Sequence, residues 1–168
     1  DLLTKEFLLD KNKLIFTVYS EDEASFDLWK KISGFSDSRI IKISSNDNFW
    51  SMGDSGPCGP CSEIFYDNGD TLEGGLPGTA NQDGDRFVEI WNLVFMEFEK
   101  KNNNLQNLPG KYVDTGMGLE RISAVLSNKV NNYDSDLFEY IFDRISNETK
   151  TKSNKDLIIC YRIISDHI

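Results

Sequence analysis

The chain has 168 residues, 39% of them hydrophobic and 12% aromatic, which is enough for one compact core. Its 28 acidic and 18 basic residues give a formal net charge of −10, which argues against nucleic-acid binding by this chain alone because phosphate contacts need clustered Lys and Arg. Without a run of about 18 apolar residues or a leader pattern, we expect a soluble, cytoplasmic protein with no membrane span.

The first third of the chain predicts two strands with a helix between them. Residues 14–19 are β-branched and aromatic and predict the first strand, and residues 40–43 predict the second. Residues 21–32 have helical spacing, with Ser20 as the expected N-cap and Glu23 as its capping-box partner. One face of this helix is expected to hold Ala24, Leu28 and Ile32.

The middle of the chain combines loop-forming and strand-forming segments. Residues 48–60 are rich in Gly, Pro, Ser and Asp and predict a shaped loop, and the polar residues 67–85 predict a surface excursion. Residues 62–66 predict a short strand, and residues 87–98 predict a central strand. One face of the central strand should hold Val88, Ile90, Asn92, Val94 and Met96.

The last third predicts a strand, a glycine turn and helices. Residues 102–107 are Asn-rich and predict a turn, and a short strand then leads through a glycine turn at residues 114–118 into a helix from Leu119. Residues 134–146 and 156–168 predict two further helices.

Cys58 and Cys61 have the spacing of the thioredoxin redox motif, in which a helix N-terminus lowers the pKa of the first thiol. The residues that follow alternate like a strand, so we favour a tight loop instead. Structural zinc needs four ligands, and Cys160 and His167 lie far along the chain without paired spacing. No metal site is therefore predicted, and the odd number of cysteines favours a reducing compartment.

Two motifs resemble parts of proteases. Residues 53–56 resemble the nucleophile loop of trypsin-like proteases, but the chain has one histidine, His167, near its end. Asp114, Thr115 and Gly116 resemble the motif of aspartic proteases, which belongs to an all-β fold, whereas a helix is predicted directly after it here. An aspartic protease-like protein is therefore kept as a remote alternative.

Three blocks, in this order and spacing, resemble the alanyl-tRNA synthetases. Residues 48–64 resemble the tryptophan loop of that family, residues 89–96 agree with a second block, and residues 113–121 are similar to motif 3 of class II synthetases. Two shorter segments also fit, residues 132–138 and 162–167. Ser55 departs from the family, which usually has Thr there.

The resemblance implies an α+β fold, with helices flanking part of a class II synthetase-type antiparallel sheet. Residues 1–150 would form the C-terminal half of the aminoacylation core, and residues 151–168 the start of a helical tRNA-recognition domain. The implied activity is activation of alanine with ATP and Mg²⁺, then transfer of alanine to tRNA(Ala), which is held mainly by regions outside this chain. A synthetase-like binding module without catalysis is the alternative.

Motifs 1 and 2 of the family would lie upstream of Asp1, so we expect the isolated chain to be inactive. The family's editing domain, with its zinc, is also expected outside this chain. A pocket for a methyl group rejects an added hydroxyl poorly, so we expect glycine and serine to be activated as well as alanine.

Five residues are expected to bind alanine. The Asp114 carboxylate would receive the ammonium group, as the resemblance also implies, although a helix N-cap is its alternative role. Trp50 and Val94 would form a small apolar wall for the methyl group, and Asn92 would reach the polar end of the substrate. Gly116 would let the backbone approach the ligand closely.

Three residues are expected near ATP. The resemblance implies that Arg121 contacts the triphosphate. Arg121 and Asp114 are the two expected catalytic residues. Gly118 would allow close approach of the backbone. Glu89 is a candidate for holding Mg²⁺, although on a regular strand it faces away from Asn92, so a bulge would be needed.

Overall fold

A computed structural model describes residues 1–102, 104–150 and 155–167, with side chains from residue 158 onward in the last segment. The chain divides into two compact units, Asp1–Gly118 and Leu119–Ile168. Within the described residues, no helix has the length and apolar character required to cross a membrane.

The first unit is built on a six-stranded sheet. Its strands are β1 (Leu14–Tyr19), β2 (Ile40–Ile43), β3 (Phe49–Ser51), β4 (Gly56–Asp67), β5 (Phe87–Lys101) and β6 (Asn104–Met117). In space they follow the order β2-β1-β4-β5-β6, with β3 also paired to β4. The predicted α+β fold is confirmed, but β1 and β2 run parallel while the other pairs are antiparallel. The parallel pair arises because a helix connects these two strands.

The helix between β1 and β2 is α1 (Glu23–Ser33), and it differs from the prediction in its cap and its buried face. The Asp22 carboxylate accepts a hydrogen bond from the Ser25 N–H at 3.0 Å, so the predicted Ser20 cap is wrong. Trp29 stacks on Phe16 of β1 with ring centroids 4.2 Å apart. The predicted face is instead exposed, namely Ala24, Leu28 and Ile32.

Several predicted turns belong to strands. β3 and β4 together take up most of residues 48–60, and β6 begins at Asn104 and continues through the predicted glycine turn to Met117. Asp114 therefore lies inside a strand, and its alternative role as a helix N-cap is wrong. Pairing with β5 explains the difference, because ladder hydrogen bonds to a neighbouring strand outweigh local turn preferences.

A bulge in β5 changes which face Glu89 occupies. Ile64 pairs with Trp91, but the next residue of β4, Phe65, pairs with Glu89, so one step on β4 matches two steps on β5. The extra residue reverses the alternation of side chains along β5. Glu89 therefore shares a face of the sheet with Asn92, so the bulge that its predicted role needs is present, whereas Val88 does not share the face predicted for it with Asn92.

The second unit is helical, with α2 (Leu119–Leu126), α3 (Asp136–Thr149) and α4 (Lys155–Ser165). Ile122 and Val125 are buried on α2, as their spacing predicts. The Phe142 and Tyr161 rings of α3 and α4 lie 5.4 Å apart between centroids. The helices predicted for residues 134–146 and 156–168 are therefore confirmed with shifted ends, apart from residue 168, which lies outside the described residues.

Candidate functional site

A hollow of about 220 Å³ lies on one face of the sheet, beside β3, β5 and β6. It is lined by Trp50, Asn92, Val94, Asp114, Thr115 and Gly116. Five of these six residues are the ones that the sequence predicts for binding alanine. The structure therefore brings the predicted amino-acid site together in a single hollow of the first unit.

Strand register places these side chains on the same wall. Val94 pairs with Asp114, and Asn92 pairs with Gly116, across β5 and β6. Residues that pair across a ladder project to the same face of a sheet, and so do residues two apart on one strand. Trp50 reaches the same face from β3, where it pairs with Gly59 of β4.

Hydrogen bonds of Thr115 hold β6 against β5 beside the hollow. The Thr115 hydroxyl donates to the Asn92 backbone carbonyl at 3.0 Å and accepts a hydrogen bond from the indole N–H of Trp91. The Thr115 N–H donates to the Asp114 carboxylate at 2.8 Å, which restricts the direction of that side chain. These bonds tie the acidic residue of the hollow to the central strand.

The hollow combines three kinds of surface. Val94 is 8% exposed and, with the Trp50 indole, presents a small apolar patch. Asp114 adds an exposed carboxylate and Asn92 an amide. This arrangement can hold a small molecule that carries a positive charge next to a methyl-sized group.

A second cavity of about 260 Å³ on the first unit contains Glu89. Asp47 and Glu63 add two more carboxylates to its lining. Carboxylate oxygens are the ligands that Mg²⁺ prefers, but among the residues that the structure describes no three acidic, Cys or His side chains are arranged to hold a metal ion. The bulge in β5 puts Glu89 on this face, and its part in holding Mg²⁺ stays a prediction.

The two remaining predicted residues lie on either side of the boundary between the two units along the sequence. Gly118 directly follows β6 and ends the first unit, and Arg121 lies on α2 in the second unit, with an exposed side chain. Their expected roles near ATP stay predictions.

The CxxC segment is part of β4, so the predicted tight loop is wrong. Cys58 and Cys61 are both buried, and burial raises the pKa of both thiols. For Cys61 the pKa rises to about 12, with the charge of Glu63 as the second cause. A redox-active thiol needs a lowered pKa, so these residues act as small core side chains.

Three polar residues beside the hollow were missed from the sequence. Glu63, Thr17 and Asn48 are buried and hydrogen-bonded to one another in a chain that reaches Asn92. One signal was available, because Glu63 is a charged residue inside the segment predicted as a strand. A charge at such a position marks a polar contact that the fold must supply.

Residues 1–168 match the family described as tRNA synthetases class II (A). The chain is 58% identical, over 100% of its length, to the alanine–tRNA ligase of Rickettsia bellii (strain RML369-C) and 57% identical, over 100%, to that of Rickettsia felis (strain ATCC VR-1525 / URRWXCal2). It is 59% identical over 99% of its length to the alanine–tRNA ligase of Ehrlichia canis (strain Jake). The chain spans 18 to 19% of the length of these relatives.

Proposed function

The chain belongs to the class II (A) family of tRNA synthetases, and we propose from this that the full-length protein carrying it is an alanine–tRNA ligase. The observation that supports the proposal most directly is the hollow that combines the Asp114 carboxylate with the apolar surface of Val94 and Trp50. Its size and chemistry suit an amino acid with a methyl side chain.

The reaction has two steps. The carboxylate of alanine attacks the α-phosphorus of ATP, which forms alanyl-adenylate and breaks the α–β phosphate bond to release pyrophosphate. A hydroxyl of the terminal adenosine of tRNA(Ala) then attacks the alanyl carbonyl and releases AMP. Neither step needs a nucleophile from the protein, so alignment and charge neutralisation are the contributions expected of it.

Each site residue receives a role in the first step. Asp114 binds the ammonium group of alanine, and Trp50 with Val94 accepts the methyl group. Asn92 contacts the polar end of the substrate, and the bare backbone of Gly116 leaves room for it. Together they hold the carboxylate of alanine in position for attack.

Three residues receive a role toward the nucleotide. Arg121 neutralises charge on the triphosphate, and Gly118 lets the backbone approach it. Glu89 is the residue proposed to hold Mg²⁺, which neutralises phosphate charge when bound. The tRNA is held mainly by other parts of the polypeptide, because the net charge of −10 does not favour phosphate contacts here.

We also propose that the chain contains parts of two functional regions and that the protein is cytoplasmic. Residues 1–150 form the C-terminal half of the aminoacylation core, and residues 151–168 begin the helical tRNA-recognition region. Free, buried Cys58 and Cys61 suit the reducing conditions of the cytoplasm, where ATP and tRNA are also available.

Alanine-dependent exchange of pyrophosphate into ATP by the full-length protein tests the proposal. We expect exchange with alanine and Mg²⁺, and charging of tRNA(Ala) in a second assay. Leucine is a suitable negative control, because the wall of Trp50 and Val94 is proposed to accept a methyl group and not a longer branched side chain. Binding of alanine without exchange or charging would favour the alternative, a synthetase-like binding module.

A further inference from the structure

A buried chain of polar side chains runs from the interior of the sheet to the wall of the hollow. It starts at Asn48, which is fully buried and whose amide nitrogen donates to the Thr17 hydroxyl at 2.9 Å and to the Cys61 carbonyl at 3.0 Å. The Thr17 hydroxyl in turn donates to Oε2 of Glu63 at 3.1 Å. Glu63 is only 7% exposed, so this carboxylate is held inside the protein.

The other end of this chain is a residue of the candidate site. Glu63 and Asn92 pair in register across β4 and β5, and the Asn92 amide nitrogen donates to Oε1 of Glu63 at 3.4 Å. Asn92 also lines the hollow. The two oxygens of the Glu63 carboxylate thus connect a buried anchor to a side chain that lines the hollow.

The direction of these hydrogen bonds fixes the Asn92 amide. The Asn92 amide nitrogen faces Glu63 and donates to its carboxylate, while the amide oxygen points away from it. Its amide oxygen is closed to solvent and has no hydrogen-bond partner among the described residues. A buried acceptor left in this state costs about 1 to 3 kcal/mol. The Asn92 side chain is therefore held by bonds to Glu63 and to the Cys61 thiol and not by a bond of its own oxygen, and Glu63 is the partner that is itself anchored by Thr17.

We propose that Glu63 is a positioning residue for alanine, acting by holding the rotamer and amide orientation of Asn92, with Thr17 as its anchor. The inference rests on the proposed function, because Asn92 matters only if the hollow receives the amino acid. Burial of a carboxylate is costly unless it is fully hydrogen-bonded. The position in the middle of β4 is therefore explained by the contact that it provides to the site.

Pyrophosphate exchange by the full-length protein tests this role with four variants. Glu63→Gln keeps the shape of the side chain but cannot accept hydrogen bonds from both neighbours, since one end becomes an NH₂ group. With Thr17 donating to its oxygen, that NH₂ group faces Asn92 and turns the amide. We expect the KM for alanine to rise at least tenfold, while the KM for ATP changes less than twofold.

The other variants separate positioning from general damage. Thr17→Val removes the anchoring hydroxyl and should raise the KM for alanine, by a smaller factor than Glu63→Gln does. Thr17→Ser keeps the hydroxyl and should have the KM for alanine of the unmodified protein. Glu97→Gln is the matched control, because it removes a carboxylate of the neighbouring strand that pairs with Lys111 at 2.6 Å and should leave both KM values unchanged. Thr17→Val carries the test if Glu63→Gln does not fold.

Three results decide the question. An unchanged KM for alanine in folded Glu63→Gln or Thr17→Val would overturn the positioning role while leaving the proposed function intact. A lower kcat and fewer active sites with both KM values unchanged would also overturn it, because that pattern reports a structural role alone. Absence of alanine-dependent exchange in the unmodified protein would overturn the proposed function, and this inference with it.

Discussion

Val94 and Asp114 are cross-strand partners in the antiparallel pair formed by β5 and β6. The pairing sets an apolar side chain directly beside an acidic one on the face of the sheet that carries the hollow. A shift of β6 by one residue would move Asp114 to the opposite face. The chemistry of the proposed alanine site therefore depends on the register of this single strand pair.

Replacing Asp114 with alanine should weaken alanine binding by the full-length protein. We expect a loss of about 2 kcal/mol, or roughly thirtyfold in Kd, the lower end of the range for a charged partner because solvent screens this exposed carboxylate. Calorimetric titration with alanine measures the change. Asp83→Ala, at an exposed position of the loop before β5, is the control. Equal affinity in both variants would remove Asp114 from the site.

An added methyl group should impair alanine binding at Gly116 and fold stability at Gly59. At Gly116 a Cβ atom would meet nothing within 4 Å, so Gly116→Ala should leave the melting temperature unchanged and weaken alanine binding more than tenfold by occupying the hollow. At Gly59 a Cβ atom would lie 2.1 Å from the Phe95 carbonyl oxygen, so Gly59→Ala should destabilise the fold by about 3 kcal/mol. Thermal unfolding and alanine titration of both variants measure these effects. Normal alanine affinity in Gly116→Ala would contradict the proposed placement of the substrate.

Glu89→Gln should change the dependence of the exchange reaction on magnesium. If Glu89 holds the ion, removing its charge raises the Mg²⁺ concentration needed for half-maximal rate about tenfold, with the KM for alanine unchanged. Titration of exchange activity with MgCl₂ measures the shift, and Glu99→Gln on the same strand, which pairs with Lys101, is the control. Identical magnesium curves for the two variants would exclude Glu89.

The buried thiols predict a pattern of chemical modification. Burial raises the pKa of Cys61 to about 12, so roughly one molecule in ten thousand carries the thiolate at pH 8. Iodoacetamide should therefore modify the exposed Cys160 of the native protein and spare Cys58 and Cys61. Reactivity of Cys61 should increase as the pH rises toward 12 or when the protein is unfolded. Peptide mapping by mass spectrometry measures this, and rapid labelling of Cys61 at pH 8 would contradict its placement.

Serine should support pyrophosphate exchange by the full-length protein, at a lower kcat/KM than alanine. An apolar pocket rejects an added hydroxyl group weakly, by about a hundredfold. Glycine should also be activated, because the loss of one methyl group weakens binding by only about 1 to 3 kcal/mol. Exchange assays with each amino acid measure the ratios. A complete absence of serine-dependent exchange would show that the hollow excludes polar side chains by a contact not identified among its lining residues.

The members of the hollow could be predicted because their motifs resemble those of the alanyl-tRNA synthetases; without that resemblance Trp50 and Val94 would be read as core residues. Asn92 and Val94 are two residues apart, as are Asp114 and Gly116, and this spacing puts each pair on one face of any regular strand. The residues of the family motifs added the expectation that the two pairs belong to one site. Only the pairing of β5 with β6 brought them together.

Tertiary structure decided what local patterns could not. The bulge that brings Glu89 to the face of Asn92 is a property of the pairing of β4 with β5, in which one step on β4 matches two steps on β5. The glycine-rich segment that ends at Met117 is strand because β5 supplies its hydrogen bonds. Glu63 is connected to Thr17 and Asn92, 46 positions before it and 29 after it. Such contacts depend on which strands become neighbours, and this choice is made by the packing of the whole sheet and not by any short stretch of the chain.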